Sequence, residues 1–433
     1  MNKQECAIKY VEDNYLQFNR LRHDIIADKL QVRCAHPIGD WLEAKGERQE
    51  QWREMTKHDI NSIVCHAAQE YDANITSREV MTALQSDLIP DVHPLREYVL
   101  SCGEWTEEQP DWIDWVASQV RVKPLGDEAK GDKARGERLW RACFKKWFVA
   151  MVASWMKDEV VNHQVLVLIG KQGIFKTTWL EHLIPPHLRA YACKLANSND
   201  LNKDERLRIA EFGLISLDEI DSMNNRELNQ LKSVITATDV NERAAYAYTK
   251  ERRVRLASFC ASGNRRDFLT DITGNRRWLP FEVESIQNPF TTILPYERMY
   301  AQAWALAQDP LFSYWFDLEE IEVLEQHNHY FRDESNEEQL LPILFDVPAE
   351  DRGEFMTTAQ ISERLVTYGN IKKPMALSRL GMVLGSAGFR AVTRKAGSGR
   401  ARGWIVYQRD NNEIDTLRRL LKDETSQLDT AIY

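Results

Sequence analysis

A lysine followed by two hydroxyl residues, a few positions beyond a pair of glycines, is a set of groups that can hold a chain of phosphates. The run Val165-Leu-Val-Leu-Ile-Gly-Lys-Gln-Gly-Ile-Phe-Lys-Thr-Thr178 carries that set. Gly170 and Gly173 let backbone N–H groups turn inward around an anion with no Cβ in the way. Lys176 would reach the β- and γ-phosphates of ATP and the Thr177 hydroxyl would hold Mg²⁺, with Ile174, Phe175 and Thr178 completing the loop. The usual pattern has glycine just before the lysine, and here that position is Phe175. Farther on, Asp218 could bind the metal's water shell beside Thr177, and Glu219 could orient and deprotonate an attacking water. Asn264 could sense the γ-phosphate and help to orient that water, with Ser262 a weaker candidate. Arg276 and Arg277 form an arginine pair of the kind that reaches a neighbouring subunit's ATP.

These groups need elements that bring them to one place. Val165–Ile169 reads as a short buried strand, and Trp179-Leu-Glu-His-Leu183 continues with helical spacing, so the loop joins a strand to a helix start. Leu214-Ile-Ser-Leu217 and Leu256-Ala-Ser-Phe-Cys-Ala-Ser262 read as further apolar strands that end at Asp218 and Asn264. An amphipathic helix is expected from Asn224 to Ala237. Arg243-Ala-Ala-Tyr-Ala-Tyr-Thr-Lys-Glu-Arg-Arg-Val-Arg255 alternates and reads as a hairpin with Lys250 near its tip. Its Arg243, Tyr246, Lys250 and Arg252 suit a phosphate backbone and stacked bases, and equally a charged, protected sheet edge.

Composition bounds the rest. A chain of 433 residues suggests about two to four domains with a sizeable core. The net charge of −10 excludes a surface coated in basic residues, so any nucleic-acid contact must come from local patches. Seven scattered cysteines without C-x-x-C spacing read as reduced thiols rather than zinc ligands. No basic-then-apolar leader and no apolar run approaching about 18 residues is present, which predicts a cytoplasmic protein without a membrane segment.

Residues 1–122 read as an all-helical accessory domain, with apolar residues at three- and four-residue spacing and no catalytic spacing. Lys123 to Gly136 is polar and glycine-interrupted, a loop or hinge. Trp140, Phe144, Trp147, Phe148 and Met151 then form a core stripe on one helix. After a linker near Val347–Gly353, a helix from Thr357, a second helix at 374–387 and paired strands around Lys395–Arg402 give the order of a winged-helix module over 354–409. Between Ile371 and Arg409 there are nine Lys/Arg and no Asp or Glu, the electrostatic footprint of nucleic-acid binding. Arg394, Lys395, Arg400 and Arg402 would contact phosphates while the second helix enters the major groove of duplex DNA. A protein-interaction module is the alternative. Residues 410–433 form an acidic tail.

The ordered set Gly170…Gly173…Lys176-Thr177, Asp218-Glu219, the Arg/Tyr hairpin, Ser262-Gly-Asn264 and Gly274-Asn-Arg-Arg277 resembles the virulence-associated protein E family. That family is similar to the superfamily 3 helicases of phage and plasmid replication, which are ring-forming AAA+ ATPases. The resemblance covers roughly Trp140 to Leu294. It implies an AAA+ ATPase domain at 137–345, Mg-ATP hydrolysis at subunit interfaces, and a hexameric ring that threads single-stranded DNA past its hairpins. Many relatives carry a primase ahead of the ATPase; residues 1–120 show no acidic metal-binding constellation, so a primase or replication protein is expected only as a partner. The expectation is thus an α/β AAA+ P-loop core between an all-helical N-terminal domain and a C-terminal winged helix, working as an ATP-driven DNA translocase or helicase. The alternatives are an ATP switch for partner loading or defence without unwinding, and a non-enzymatic DNA-binding regulator with a decayed nucleotide site. A small-molecule kinase would have no use for the basic C-terminal segment.

Overall fold

The structure, a computed structural model, describes residues 1–34, 51–126, 132, 134–195, 209–242, 251–269, 275–349, 353–396, 399–417 and 419. The chain is mixed α/β and divides into two compact units, residues 1–264 with 279–317 and residues 265–278 with 318–433.

The first unit opens with a small α/β layer. Helix α1 (Lys3–Asn14) precedes strands β1 (Leu21–Asp24), β2 (Lys29–Cys34) and β3 (Gln51–Glu54), helices α2 (Lys57–Glu70) and α3 (Ser77–Leu84), and strand β4 (Asp91–Val92). The strands form one sheet in the order β3-β2-β1-β4. Each helix starts at a reciprocal capping box, Asn2/Glu5, Thr56/Asp59 and Thr76/Glu79, which satisfies backbone donors that a helix start leaves orphaned. The all-helical expectation for this region is therefore wrong. Lys29-Leu-Gln-Val-Arg-Cys34 alternates with a period of two, which turns Leu30 and Val32 toward α1–α3 and their core of Ala7, Val11, Ile63, Ala67 and Val80.

Helices α4 (Pro94–Ser101) and α5 (Trp112–Ala117) and strand β5 (Val120–Val122) lead to the long helix α6 (Ala134–Met156). The aromatic stripe foreseen on α6 is fully buried at Trp140, Phe144, Trp147, Phe148 and Met151. Burial of each such side chain stabilises the fold by about 1.5–3 kcal/mol. The indole N–H groups also find backbone acceptors: Trp147 Nε1 donates to Phe259 O at 3.1 Å and Trp155 Nε1 to Gly213 O at 3.1 Å.

Against α6 lies the main sheet. Strand β6 (Val165–Ile169) runs into helix α7 (Lys176–His182), followed by β7 (Ala192–Leu195), β8 (Leu214–Leu217), α8 (Asn225–Thr236), the hairpin β9 (Asp239–Glu242) and β10 (Glu251–Val254), β11 (Ser258–Gly263), β12 (Trp278–Ile286) and α9 (Tyr296–Gln308). The sheet order is β5-β12-β6-β11-β8-β7, with β6, β11, β8 and β7 mutually parallel. All five residues of β6 are buried, as a parallel strand covered on both faces requires. Register sets Ile169 beside Gly263 and Leu217 beside Ala261, so the carboxyl ends of β6, β8 and β11 lie side by side.

The second unit contains α10 (Leu318–His329), α11 (Asn336–Leu344), β13 (Phe345–Asp346), β14 (Glu354–Met356), α12 (Thr358–Gly369), α13 (Leu377–Ser386), β15 (Arg390–Ala396) and β16 (Gly399–Gln408). Strand β16 pairs antiparallel with β13, β14 and β15. Its core gathers Leu341, Ile361, Leu365, Leu380, Leu384, Trp404 and Val406. The helix, helix and hairpin order expected over 357–407 is present. Among the described residues no helix is long and apolar enough to cross a membrane.

Candidate functional site

The loop between β6 and α7 is shaped by residues that tolerate its geometry. A Cβ on Gly170 would lie 2.9 Å from the carbonyl oxygen of Val283, so the loop can approach β12 only because that residue is glycine. Gly173 takes φ +85°, in the left-handed region. Phe175, where glycine is usual, also sits there, at φ 67° and ψ 18°, and its carbonyl accepts from Trp179 N at 2.8 Å to start α7. A β-carbon in that conformation costs about 1–2 kcal/mol.

Lys176 folds back under the loop and is only 7% exposed. Its Nζ donates to Gly170 O at 2.8 Å, Lys171 O at 2.7 Å and Asn264 Oδ1 at 3.3 Å, so all three donors are engaged. Burial lowers its pKa, partly offset by Asp221 and Asp218. Asp218, just past β8, accepts from Ser262 Oγ at 2.8 Å and Thr177 Oγ1 at 3.2 Å on Oδ1, and the two hydroxyls are themselves 2.9 Å apart. Its Oδ2 lies 2.8 Å from Lys194 Nζ on β7. Burial raises the Asp218 pKa, but the hydrogen bonds from Lys194 and Ser262 outweigh it and hold the carboxyl below its ordinary range. Glu219 is exposed, in the left-handed region at φ 52°, and Asn264 N donates to Asp221 Oδ1 at 3.1 Å.

A cavity of about 320 Å³ is bounded by Gly173, Phe175, Lys176, Thr177, Asp218, Glu219, Ser262 and Asn264, with Gln172, Thr178 and Gly263. Six residues read from sequence as phosphate-, metal- or water-handling groups thus meet at the carboxyl ends of three adjacent parallel strands, where open α/β sheets bind ligands. Two larger clefts, about 800 and 1000 Å³, flank the N-terminal sheet, but Arg22 and Lys29 there are held by Glu97 and Glu54.

The donor set fits Mg²⁺ with a polyphosphate. Hard oxygens from Thr177, Asp218 and Ser262 are gathered at hydrogen-bond distance, and a cation, Lys194, already balances Asp218. Among the described residues no cluster of three or more His, Cys, Asp or Glu could hold a metal by itself. Sequence reading missed Lys194, which lies on another strand with no motif around it. Ser262, the weaker candidate from sequence, donates to Asp218.

The other residues read from the sequence are not among those that line this cavity. Arg276 and Arg277 form a 3₁₀ turn with Asn275 ahead of β12, within the second unit; burial, then Arg276, lowers the Arg277 pKa. The hairpin is built from β9 and β10, with Arg252 in β10, while Arg243, Tyr246, Lys250 and Gly274 lie outside the described residues. On β15–β16, Lys395 stands directly opposite Arg400 and Thr393 opposite Arg402, and Arg394 lies 5.2 Å from the Phe355 ring. Among the described residues Arg394, Lys395, Arg400 and Arg402 make no ion pair, whereas Arg379 and Arg409 are paired with Glu338 and Asp346.

No curated protein matches the chain. Among solved structures it is similar to an apo structure of the NrS-1 C-terminal region (305–718), at 12% identity over 92% of this chain and 99% of that one, with a TM-score of 0.42. An A-form apo structure of the same region gives the same values. That likeness is too distant to bear on the fold. Residues 129–336, which include the loop, both acids, Ser262, Asn264 and the Arg276–Arg277 pair, match the model of the virulence-associated protein E-like domain.

Proposed function

We propose that the protein is an ATP-driven DNA translocase or helicase of mobile-element replication, with an AAA+ core that works as a ring oligomer. The observation that carries this reading is the meeting of Lys176, Thr177, Asp218, Glu219, Ser262 and Asn264 around one cavity, within the virulence-associated protein E-like stretch. The strand order supports it as well. The acid-bearing β8 is separated from β6 by β11, so Asn264 sits between the phosphate loop and Asp218-Glu219. Lys176 would release its carbonyls to bind the β- and γ-phosphates, while Thr177 and Asp218 would hold Mg²⁺, which supplies charge neutralisation to the phosphates. Glu219 would take the proton of the attacking water and Asn264 would orient it, with Arg276 or Arg277 reaching a neighbouring subunit's nucleotide.

DNA contact rests on the second unit and on the β9–β10 hairpin. Like charges opposed across a strand pair are destabilising, so Lys395 facing Arg400 without an acid among the described residues favours an anionic ligand. Helix α13 contributes one cation, Arg379, already held by Glu338, and it exposes Leu377 and Met382. The hairpin of the winged helix, reading phosphates, thus has the stronger claim to DNA.

A second reading, an ATP switch with slow turnover, is favoured by the strained Phe175 and by Lys194 on Asp218. The test is ATP hydrolysis with and without single-stranded DNA across protein concentration, for wild type and Glu219→Gln. Stimulation by DNA, a specific activity that rises with concentration and loss in the variant are expected of a ring motor. A flat, DNA-independent rate would move the assignment to the switch.

A further inference from the structure

Three aromatic rings gather where the phosphate loop meets the segment after β12, and phosphate chemistry uses none of them. Phe175 lies edge-on to Phe290, with ring centres 6.2 Å apart and planes at 81°. Phe290 also meets His182, near the end of α7, at 5.6 Å and 87°. Phe290 is nevertheless 72% exposed, so a large apolar ring is fixed from two sides and offered to solvent on its remaining surface. His182 is itself held: its Nδ1 lies 2.7 Å from Thr178 O, which can only accept, so Nδ1 carries the proton.

The backbone adds an independent observation. Phe175 occupies a left-handed conformation that glycine would adopt without strain, at the position where phosphate loops usually have glycine. Local strain of this kind is retained where the side chain has a use. Phe175 lines the phosphate cavity, and its ring touches Phe290, so the strained residue joins the cavity to the exposed ring.

We propose that Phe290, braced by Phe175 and His182, is the platform on which the base of the bound nucleoside triphosphate stacks. The proposal rests on the nucleotide reading of the Lys176 loop and adds to it the subsite that distinguishes a nucleotide from bare polyphosphate. An aromatic base offers a flat face to the uncovered part of the Phe290 ring, and stacking of this type tolerates any base.

Calorimetric titration of the full chain with ATP and with inorganic tripolyphosphate, both with Mg²⁺, tests it. Wild type is expected to bind ATP more tightly than tripolyphosphate. Phe290→Ala is expected to weaken ATP about tenfold while leaving tripolyphosphate unchanged, the scale of one base–aromatic stack. Phe290→Trp, which keeps an aromatic face, is expected to retain the ATP preference. An ATP-to-tripolyphosphate ratio unaltered by Phe290→Ala overturns the platform, including the case where that variant instead changes self-association in sedimentation. Failure of the underlying reading looks different: neither ligand binds wild type, or both still bind Lys176→Met.

Discussion

Lys176→Met separates a nucleotide-binding lysine from a merely structural one. In the free site its ammonium is buried and bonded to two carbonyls and an amide oxygen, with no carboxylate in hydrogen-bond contact. Replacing it by an apolar side chain of similar length removes the donor from these acceptors, which costs about 1–3 kcal/mol. The melting temperature without ligand should therefore fall by a few degrees, and the ligand-induced shift is read against each protein's own ligand-free baseline. With Mg-ATP the outcome differs. Removing one partner of a buried, hydrogen-bonded charge pair costs about 2–5 kcal/mol, and a loss of about 3 kcal/mol raises Kd roughly 150-fold. At a ligand concentration about 100 times the wild-type Kd, wild type is stabilised by about 2.7 kcal/mol and the variant by roughly 0.3 kcal/mol. The ligand-induced shift in a thermal-denaturation assay should fall by about nine-tenths. An undiminished shift in a folded variant would refute the assignment of Lys176 to phosphate.

Phe175→Gly should be more stable than Phe175→Ala by about 1 kcal/mol in urea titration, because both lose the ring but only alanine keeps the left-handed strain at this N-cap. Removing Lys395, Arg400 and Arg402 together, each to alanine, should lower the slope of log affinity for duplex DNA against log salt by about 2.7, measured by fluorescence anisotropy, with Mg-ATP binding intact. His93 predicts an acid limb. Its Nδ1 accepts from Arg96 N at 3.2 Å, and burial, then Arg96, pull its pKa from 6.5 down to about 4. A base whose folded pKa is depressed contributes its full stability above pH 6.5 and loses it as pH falls toward 4, here by up to about 3 kcal/mol. His93→Asn keeps a capping side chain that does not titrate, so its urea midpoint should fall less than that of wild type across that window.

The chemistry-bearing core was legible because it is local. A buried strand followed by glycines, lysine and threonine specifies its own geometry, and the Asp218 and Asn264 strands announce themselves as short apolar runs. The α6 stripe was equally plain. What stayed hidden depends on contacts between distant segments. The N-terminal strands are two to six residues of mixed polarity between strongly helical stretches, which masks the alternation in Lys29–Cys34. Arg255 read as one more cation of an exposed hairpin. It is instead fully buried, and donates to the carbonyls of Ile235 and Ala237 at the end of α8 and to those of Asn162 and Ala257. Only the fold reveals that a carbonyl cluster, rather than a phosphate, takes that charge. Lys194 was invisible for the same reason, since its carboxylate partner Asp218 lies on a neighbouring strand.

The central claim is that ATP turnover at the Lys176 site drives movement along DNA. Strand displacement on a forked duplex with a labelled strand tests it most directly, with wild type, Lys176→Met and Glu219→Gln assayed side by side at matched protein concentration. ATP-dependent displacement by wild type and none by either variant is expected. Hydrolysis of ATP by wild type without any displacement would contradict the motor and leave the switch as the better description.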